Sequence, residues 1–476
     1  MGVSRRRAIQ VAAGAGIAAA VPGVQYASWS LTDRTREDFA KSPTTVSEGQ
    51  RQWSNWSGIE VATPGQIAAP GSIDELADVL KTSEGRVRPV GSGHSFTGLV
   101  PSNGTIVDIS KFAGIEEHDQ ASETAIMGAG TRLRHAARLL DEVGLGFHNL
   151  PDIDVQTLAG SFATGTHGTG AKLKALHDHA YGMTLVTPTG QVLDITRDKD
   201  PELFAAAKVS LGALGVITHY KLQLRENYSL RRRLWVEETQ KIVERAEEGF
   251  AKHRNYEFFY VPNASLAADL SHDEYDGDVE GLPPEEDSNE MLDALKLFRD
   301  HLGWWPWLRQ TVLEAAFPRG QVEDVNEIYW KMLATTRTLK FNEMEYHIPV
   351  ENGFAAFREI SQILGKNPSN YFPMEVRKTA HDDAWLSPFN DGDRISLAVH
   401  AAHSEDYSFF FTELEPVFRK YGGRPHWGKL HSLGYEELTD LYPRLRDFNE
   451  IRRSLDPEGK FLNSHLAKIF GEKFNA

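Results

Sequence analysis

Residues 86–100 read RVRPVGSGHSFTGLV, and no other stretch narrows the possible folds as much. A short β-branched run leads into Gly91-Ser92-Gly93-His94-Ser95. Glycines this close together permit tight turning and a close approach of backbone to a ligand. Successive N–H groups in such a loop form a nest that can hold a pyrophosphate. The spacing is neither a P-loop nor a GxGxxG dinucleotide fingerprint, which sets those two nucleotide folds aside. One imidazole, His94, stands in the middle of the loop. Taken alone, the stretch also reads as an ordinary Gly-rich turn with a surface histidine.

A second stretch decides between these readings. Residues 150–170 read LPDIDVQTLAGSFATGTHGTG, with almost no long side chain between Gly160 and Gly170. Small residues and hydroxyls over that length suit a backbone lying flat against a large planar ligand. Three later stretches add to the pattern: YFPMEVRKTAHDDAWLSP at 371–388, RPHWGKLH at 424–431 and LDPEGKFLN at 455–463. Taken in order, from about Trp56 to Leu466, these motifs resemble the FAD-linked oxidoreductases of the vanillyl-alcohol oxidase type. Within that group they are most similar to the aldonolactone oxidases (D-arabinono- and L-gulono-1,4-lactone oxidases) and the alditol oxidases.

The resemblance implies an α+β fold. A two-subdomain FAD-binding domain is expected, with a substrate domain whose antiparallel sheet is covered by helices. It implies that the first loop holds the FAD pyrophosphate and that His94 is bonded covalently to the flavin 8α-methyl carbon. Cofactor contacts are expected from Gly91, Ser92, Gly93, His94, Ser95, Gly160, Thr164, Gly165, His167, Gly168, Ile217 and Lys429.

Oxidation of an alcohol by FAD needs a fixed flavin, a nearby C–H bond, help in removing the hydroxyl proton and positive charge for the reduced flavin. Glu375 and Arg377 stand at i and i+2, so on a strand they share a face. Such a pair can bracket a polyol, the carboxylate accepting and the guanidinium donating. It can equally be a structural ion pair. Lys429 resembles the lysine that family members place near flavin N1, where an ammonium stabilises the charge of reduced flavin. The alternative is an exposed lysine on a turn. His400, on an expected strand, is placed by the resemblance beside the same cleft; a core histidine is the other reading. Ala402 stands where the alditol oxidases carry a threonine, which argues against an alditol as substrate. Glu343-Met344-Glu345-Tyr346 is also family-like and leaves open which carboxylate faces the site.

Composition bounds the partners. The chain has 476 residues, enough for two domains with their own cores, and a formal net charge of −16. An acidic surface argues against nucleic acid or an anionic membrane as main partner, and Arg231-Arg232-Arg233 reads as a solvated face. The absence of cysteine excludes disulfides, thiolate chemistry and iron–sulfur clusters. The histidines show no HExxH spacing, so the sequence leaves a metal site open but lends it no support. Ser4-Arg5-Arg6-Arg7 precedes an Ala/Gly/Val-rich run over 8–24. This reads as a twin-arginine export signal over 1–27, too short and weakly apolar for a spanning helix. A periplasmic or extracellular protein is expected, with membrane anchoring by an uncleaved signal as the alternative.

Along the chain, a polar linker is expected over 28–55, the FAD domain over 56–225, the substrate domain over 226–435 and a segment packing back on the FAD domain over 436–476. Ser72, with Glu75 three residues on, signals a helix start. Strands are expected at 86–90, 105–109, 125–128, 183–188, 191–195 and 215–224, then at 255–261, 340–348 and 395–401. Helices are expected at 133–143 and 236–255. The acidic, Pro/Gly-containing stretch 264–290 reads as a loop, and 291–317 as a helix whose tryptophans, Trp304, Trp305 and Trp307, pack in a core or subunit contact. The function these features imply is oxidation of a secondary hydroxyl of a sugar 1,4-lactone, with hydride passing to flavin N5 and dioxygen giving hydrogen peroxide. The partners would be a small sugar lactone or polyol and dioxygen or another redox acceptor. Alternatives are an alditol or oligosaccharide oxidase, and a dehydrogenase serving a cytochrome or quinone. MEVR and HWGK argue against a flavin-binding protein without activity.

Overall fold

The computed structural model describes residues 23–37, 52–282, 290–335 and 339–474. The arginine run at 5–7 and the apolar run up to residue 22 lie outside the described residues.

The first domain carries two small sheets. In one, the strand Thr105–Asp108 lies between Gln66–Ala68 and Val87–Val90, all parallel. The helix Ile73–Thr82 covers it with Leu76, Ala77 and Leu80, one face of a 3.6-residue period. The Ser72 hydroxyl accepts the Glu75 N–H, while the Glu75 carboxylate reaches past the cap residue to the Gly71 N–H. The other sheet has five antiparallel strands, in the order Val192–Thr196, Ala180–Val186, Val216–Gln223, Thr124–Gly128 and Ile115–Asp119. The helix Leu133–Glu142 buries Leu133, Ala136, Ala137 and Leu140.

The second domain is built on an eight-stranded sheet. Its centre runs Leu266–Glu274, Asn255–Tyr260, Met374–Thr379, Arg394–Ala402, Phe341–Pro349. Register and alternation give this sheet two unlike faces. Phe258, Val376, Leu397 and Tyr346 form one cross-strand row on an apolar face. The helices Thr239–Lys252 and Val350–Lys366 lie against this domain's sheet. The neighbouring row, on the opposite face, is Glu257, Arg377, Ser396 and His347, and the next brings Glu375 and Glu345 together across Ala398. This polar face is buried against the first domain, where the Tyr256 carbonyl accepts the Thr169 hydroxyl at 2.5 Å and the Lys378 carbonyl accepts the Gly170 N–H at 2.7 Å. The α+β architecture is the one expected.

Several expectations need correction. Residues 28–55 are more than a linker, because the helix Gly23–Ser30 extends into them and Trp53–Ser54 pairs with Val61–Ala62. The Trp29 indole N–H donates to the Arg299 carbonyl at 2.8 Å, which seats that helix on the second domain. The expected loop at 264–290 contains the strand Leu266–Glu274, hydrogen-bonded on both edges; residues 283–289 lie outside the described residues. The helix expected over 291–317 is two, Glu290–Leu302 and Pro306–Ala316. Pro306 lacks an N–H and so opens the second. Trp307 is 67% exposed and Trp305 37%, so neither is a core residue of this chain. Arg231 and Arg232 face Asp324 and Glu323 on the adjacent strand at 2.6 Å. The C-terminal segment reaches the first domain, where the Asn463 amide donates to the Gly98 and Pro101 carbonyls.

Candidate active site

A cleft of about 400 Å³ opens where the polar sheet face meets the first domain. Arg88, at the end of a strand leading into the glycine loop, frames it. Its fully buried guanidinium donates to the carbonyls of Leu99, Leu211, Gly212 and Phe461 at 2.6–2.9 Å. Desolvation lowers its pKa to about 9, so it is still charged at neutral pH. One side chain thus joins the loop, the 211–212 wall and the C-terminal segment.

Gly91 and Gly93 have separate tasks. A Cβ on Gly91 would lie 2.1 Å from the Thr157 hydroxyl oxygen and within 3.3 Å of its other side-chain atoms. Thr157 is itself committed, capping the helix Leu158–Ala163 by accepting the Gly160 N–H. Gly93 adopts φ +65, the left-handed region, and its carbonyl accepts the Trp56 N–H at 2.8 Å. Both glycine-rich stretches therefore line one cleft. Ser92, Ser95, Gly160, Thr164 and Ile217 line it as well.

His94 projects into the cleft with its ring stacked on Trp56, centroids 4.8 Å apart. Desolvation, then the nearby charges of Lys429 and Arg132, push its pKa down to about 4. The imidazole is neutral at physiological pH and keeps a free lone pair.

In the same cleft Lys429 forms an ion pair with Glu343. The HWGK turn is fixed to the glycine loop. The Gly428 carbonyl accepts the Phe96 N–H at 2.7 Å, and the Trp427 carbonyl accepts the Thr97 hydroxyl at 2.8 Å. Glu343 also lies 3.7 Å from His400 Nε2, and His400 Nδ1–H donates to the Pro373 carbonyl. The two carboxylates of the 343–346 motif thus divide: Glu343 lines the cleft, and Glu345 turns deeper, to His167.

Glu375 and Arg377 adjoin the cleft without lining it. Arg377 donates through Nε to Glu257 at 2.8 Å and through Nη2 to Glu375 at 2.6 Å. All three side chains are about a tenth exposed. Two carboxylates thus share one guanidinium. Desolvation pushes the Glu375 pKa up to about 8; Arg377 opposes this, and the charges of Glu257, Asp152 and the cleft residue Glu343 add to it.

Residues 220–469 match the family described as D-arabinono-1,4-lactone oxidase, and residues 64–196 match the FAD-binding-domain family. The chain belongs to the D-arabinono-1,4-lactone oxidase family. This family member is 33% identical over 427 residues to the L-gulono-1,4-lactone dehydrogenase of Mycobacterium tuberculosis, an alignment covering 88% of this chain and 99% of the relative. It is 27% identical to the L-gulonolactone oxidase of Bos taurus (88% and 98% covered) and 26% identical to the alditol oxidase of a Streptomyces species (87% and 98%). Its fold is that of the cholesterol oxidase from B. sterolicum, with a TM-score of 0.69 at 15% identity over 90% of this chain and 99% of that one. The protein is an FAD-linked oxidoreductase, and the cleft suits that cofactor. A loop without room for a Cβ at Gly91 brings backbone close, and the small residues Gly160, Ala163 and Thr164 leave a shallow wall for a planar ring.

Against the cofactor residues expected from sequence, this lactone-oxidase-family structure differs in one group. His167, Gly165 and Gly168 are not on the cleft surface. The His167 ring turns away to Glu345, and Gly168 lies against Leu150 and Asn149. The cleft also contains Trp56 and Arg132, which no motif singled out, and His426, which stands in the HWGK motif but has no role expected from sequence. Glu257 was missed too. Its only local signal is a glutamate inside the otherwise aromatic strand NYEFFY.

Proposed function

We propose that this protein oxidises a secondary hydroxyl of a sugar 1,4-lactone and passes the electrons to dioxygen. The observation that carries the reading is the Lys429–Glu343 pair in the same cleft as His94, on a turn hydrogen-bonded to the glycine loop. Bound FAD supplies the hydride acceptor. Lys429 supplies fixed positive charge where negative charge develops, and Glu343 orients it. Beside them Glu375, with its pKa near 8, lies just behind the cleft surface, where a side-chain rotation would let it take the hydroxyl proton and let a remaining Arg377 N–H donate to the substrate oxygen. Ala402 offers no hydroxyl on the adjoining strand, which favours a lactone over an alditol. The relatives include a dehydrogenase as well as oxidases, so transfer to another acceptor is the second reading. Peroxide formation during lactone turnover supports the first; dye reduction without peroxide supports the second.

Lys429→Ala is expected to slow flavin reduction about a hundredfold, the equivalent of roughly 3 kcal/mol. Stopped-flow bleaching at saturating lactone measures this, and a wild-type rate would remove Lys429 from the chemistry. The pH profile of the same half-reaction should rise through about 8 as Glu375 loses its proton and becomes a competent base. In Glu375→Gln that rise should disappear along with most of the rate.

His94 is proposed as the covalent tether, because its neutral imidazole retains a nucleophilic lone pair inside the cleft. Acid precipitation should leave the yellow colour in the protein pellet; free FAD in the supernatant would mean that the cofactor is held without a bond. Export by the twin-arginine route is proposed from Arg5, Arg6 and Arg7. Replacing all three by lysine should retain folded, FAD-loaded protein in the cytoplasm, and unchanged export would rule the route out.

A further inference from the structure

The polar face of the large sheet holds a second cluster that the oxidation chemistry leaves unused. His167, Glu345 and His347 each present one ligand atom, and these atoms all lie within 4.8 Å of one another. All three side chains are buried, His347 completely. The loop at 164–170 belongs to the first domain, and the strand Phe341–Pro349 to the second. The cluster therefore joins the two domains beside the cleft.

The outer nitrogens of both imidazoles are already occupied. His167 Nδ1 lies 2.7 Å from the Gly168 carbonyl, which can only accept, so Nδ1 carries the hydrogen. Its Nε2 faces Glu345 Oε1 at 2.9 Å. His347 Nδ1 meets the Ser396 hydroxyl at 2.7 Å. His347 Nε2 is buried and has no hydrogen-bond partner. Leaving a buried polar atom unsatisfied is costly, so each such atom calls for an explanation. Two histidines anchored through Nδ1, one with Nε2 on the Glu345 carboxylate and the other with Nε2 buried and unpartnered, resemble the outer sphere of metal-bound imidazoles. A simple His167–Glu345 ion pair would leave His347 Nε2 unused.

We propose that His167 Nε2, His347 Nε2 and a Glu345 carboxylate oxygen bind a divalent transition metal ion of the zinc class. Two imidazoles and a carboxylate are hard enough for Zn²⁺ and need no thiolate, in a chain without cysteine. Binding exchanges the Nε2 proton of His167 for the metal, so one proton is released. His426 lines the cleft with its ring 5.8 Å from that of His347 and 6.0 Å from that of His167, which puts the entry side toward the cleft. The ion would clamp the 164–170 loop of the first domain to the substrate-domain sheet. No HExxH-type spacing announces such a site, because His167 lies 178 residues from Glu345 in sequence and the other two ligands alternate along a strand.

The test uses full-length holoenzyme without a histidine tag, purified without chelator, with Zn²⁺ alone as the probe. Elemental analysis should give one zinc per chain, and a chelator should remove it and lower the thermal midpoint. Returning Zn²⁺ should restore the midpoint and release a proton. His347→Ala removes the unpartnered nitrogen together with the Nδ1 contact to Ser396, and should weaken zinc binding at least tenfold while keeping the flavin. Glu345→Gln should do the same; if it fails to fold, His347→Ala alone decides. Wild-type holoenzyme that carries no zinc and shows no thermal shift on adding it would overturn the proposal. So would His347→Ala binding zinc as tightly as wild type.

Discussion

Arg377→Ala is expected to lose about 3–5 kcal/mol of stability, because it removes the cation that compensates the buried Glu257 carboxylate and the donor that satisfies Glu375. Glu257 and Glu375 each accept one of its hydrogen bonds, at 2.8 and 2.6 Å. Denaturant unfolding of the holoenzyme measures the loss. Glu375→Gln should be milder, since Glu375 is held largely protonated near neutrality. Combining Arg377→Met with Glu375→Gln and Glu257→Gln should regain much of the stability without regaining activity. A single Arg377→Ala variant as stable as wild type would show that solvent reaches the cluster and screens it.

Gly91→Ala should leave a folded protein that is purified with little or no FAD, because the cofactor is not taken up and never reaches His94. The added methyl would fall 2.1 Å from the Thr157 hydroxyl, and turning that side chain brings its methyl group into the same space. The loop must then lift from the 157–160 segment, which widens the part of the cleft that backbone donors close. Thr157→Ala removes the oxygen that stands in the way, at the cost of the cap, so Gly91→Ala combined with Thr157→Ala should recover part of the flavin. Full flavin content in Gly91→Ala alone would show that the loop tolerates the shift.

The features legible in the sequence are those that depend on local chemistry. The 91–95 loop, the Ser72 cap and the i, i+2 placement of Glu375 and Arg377 follow from short-range rules, and the structure has each of them. Period two gave Glu375 and Arg377 their shared face, but it does not encode depth, and Glu257 enters only through the neighbouring strand. Arg88 gave no local sign that it would hold the carbonyls of residues 211, 212 and 461, because those segments meet only in the folded chain. The strand Leu266–Glu274 was obscured by the acidic composition around it; its pairing on both edges outweighs its weak propensity. His167 sits in a glycine-rich motif that otherwise lines the cleft, and nothing local shows that its ring turns the other way to Glu345.

The central claim is that this cleft oxidises a sugar lactone through bound flavin. Anaerobic mixing of the purified yellow protein with a panel of 1,4-lactones and alditols tests it most directly. A lactone should bleach the flavin in a phase whose rate saturates with concentration, alditols should do so far more slowly, and Lys429→Ala should slow the lactone phase about a hundredfold. Flavin that stays oxidised with every lactone, or that is reduced as fast by alditols, would contradict it.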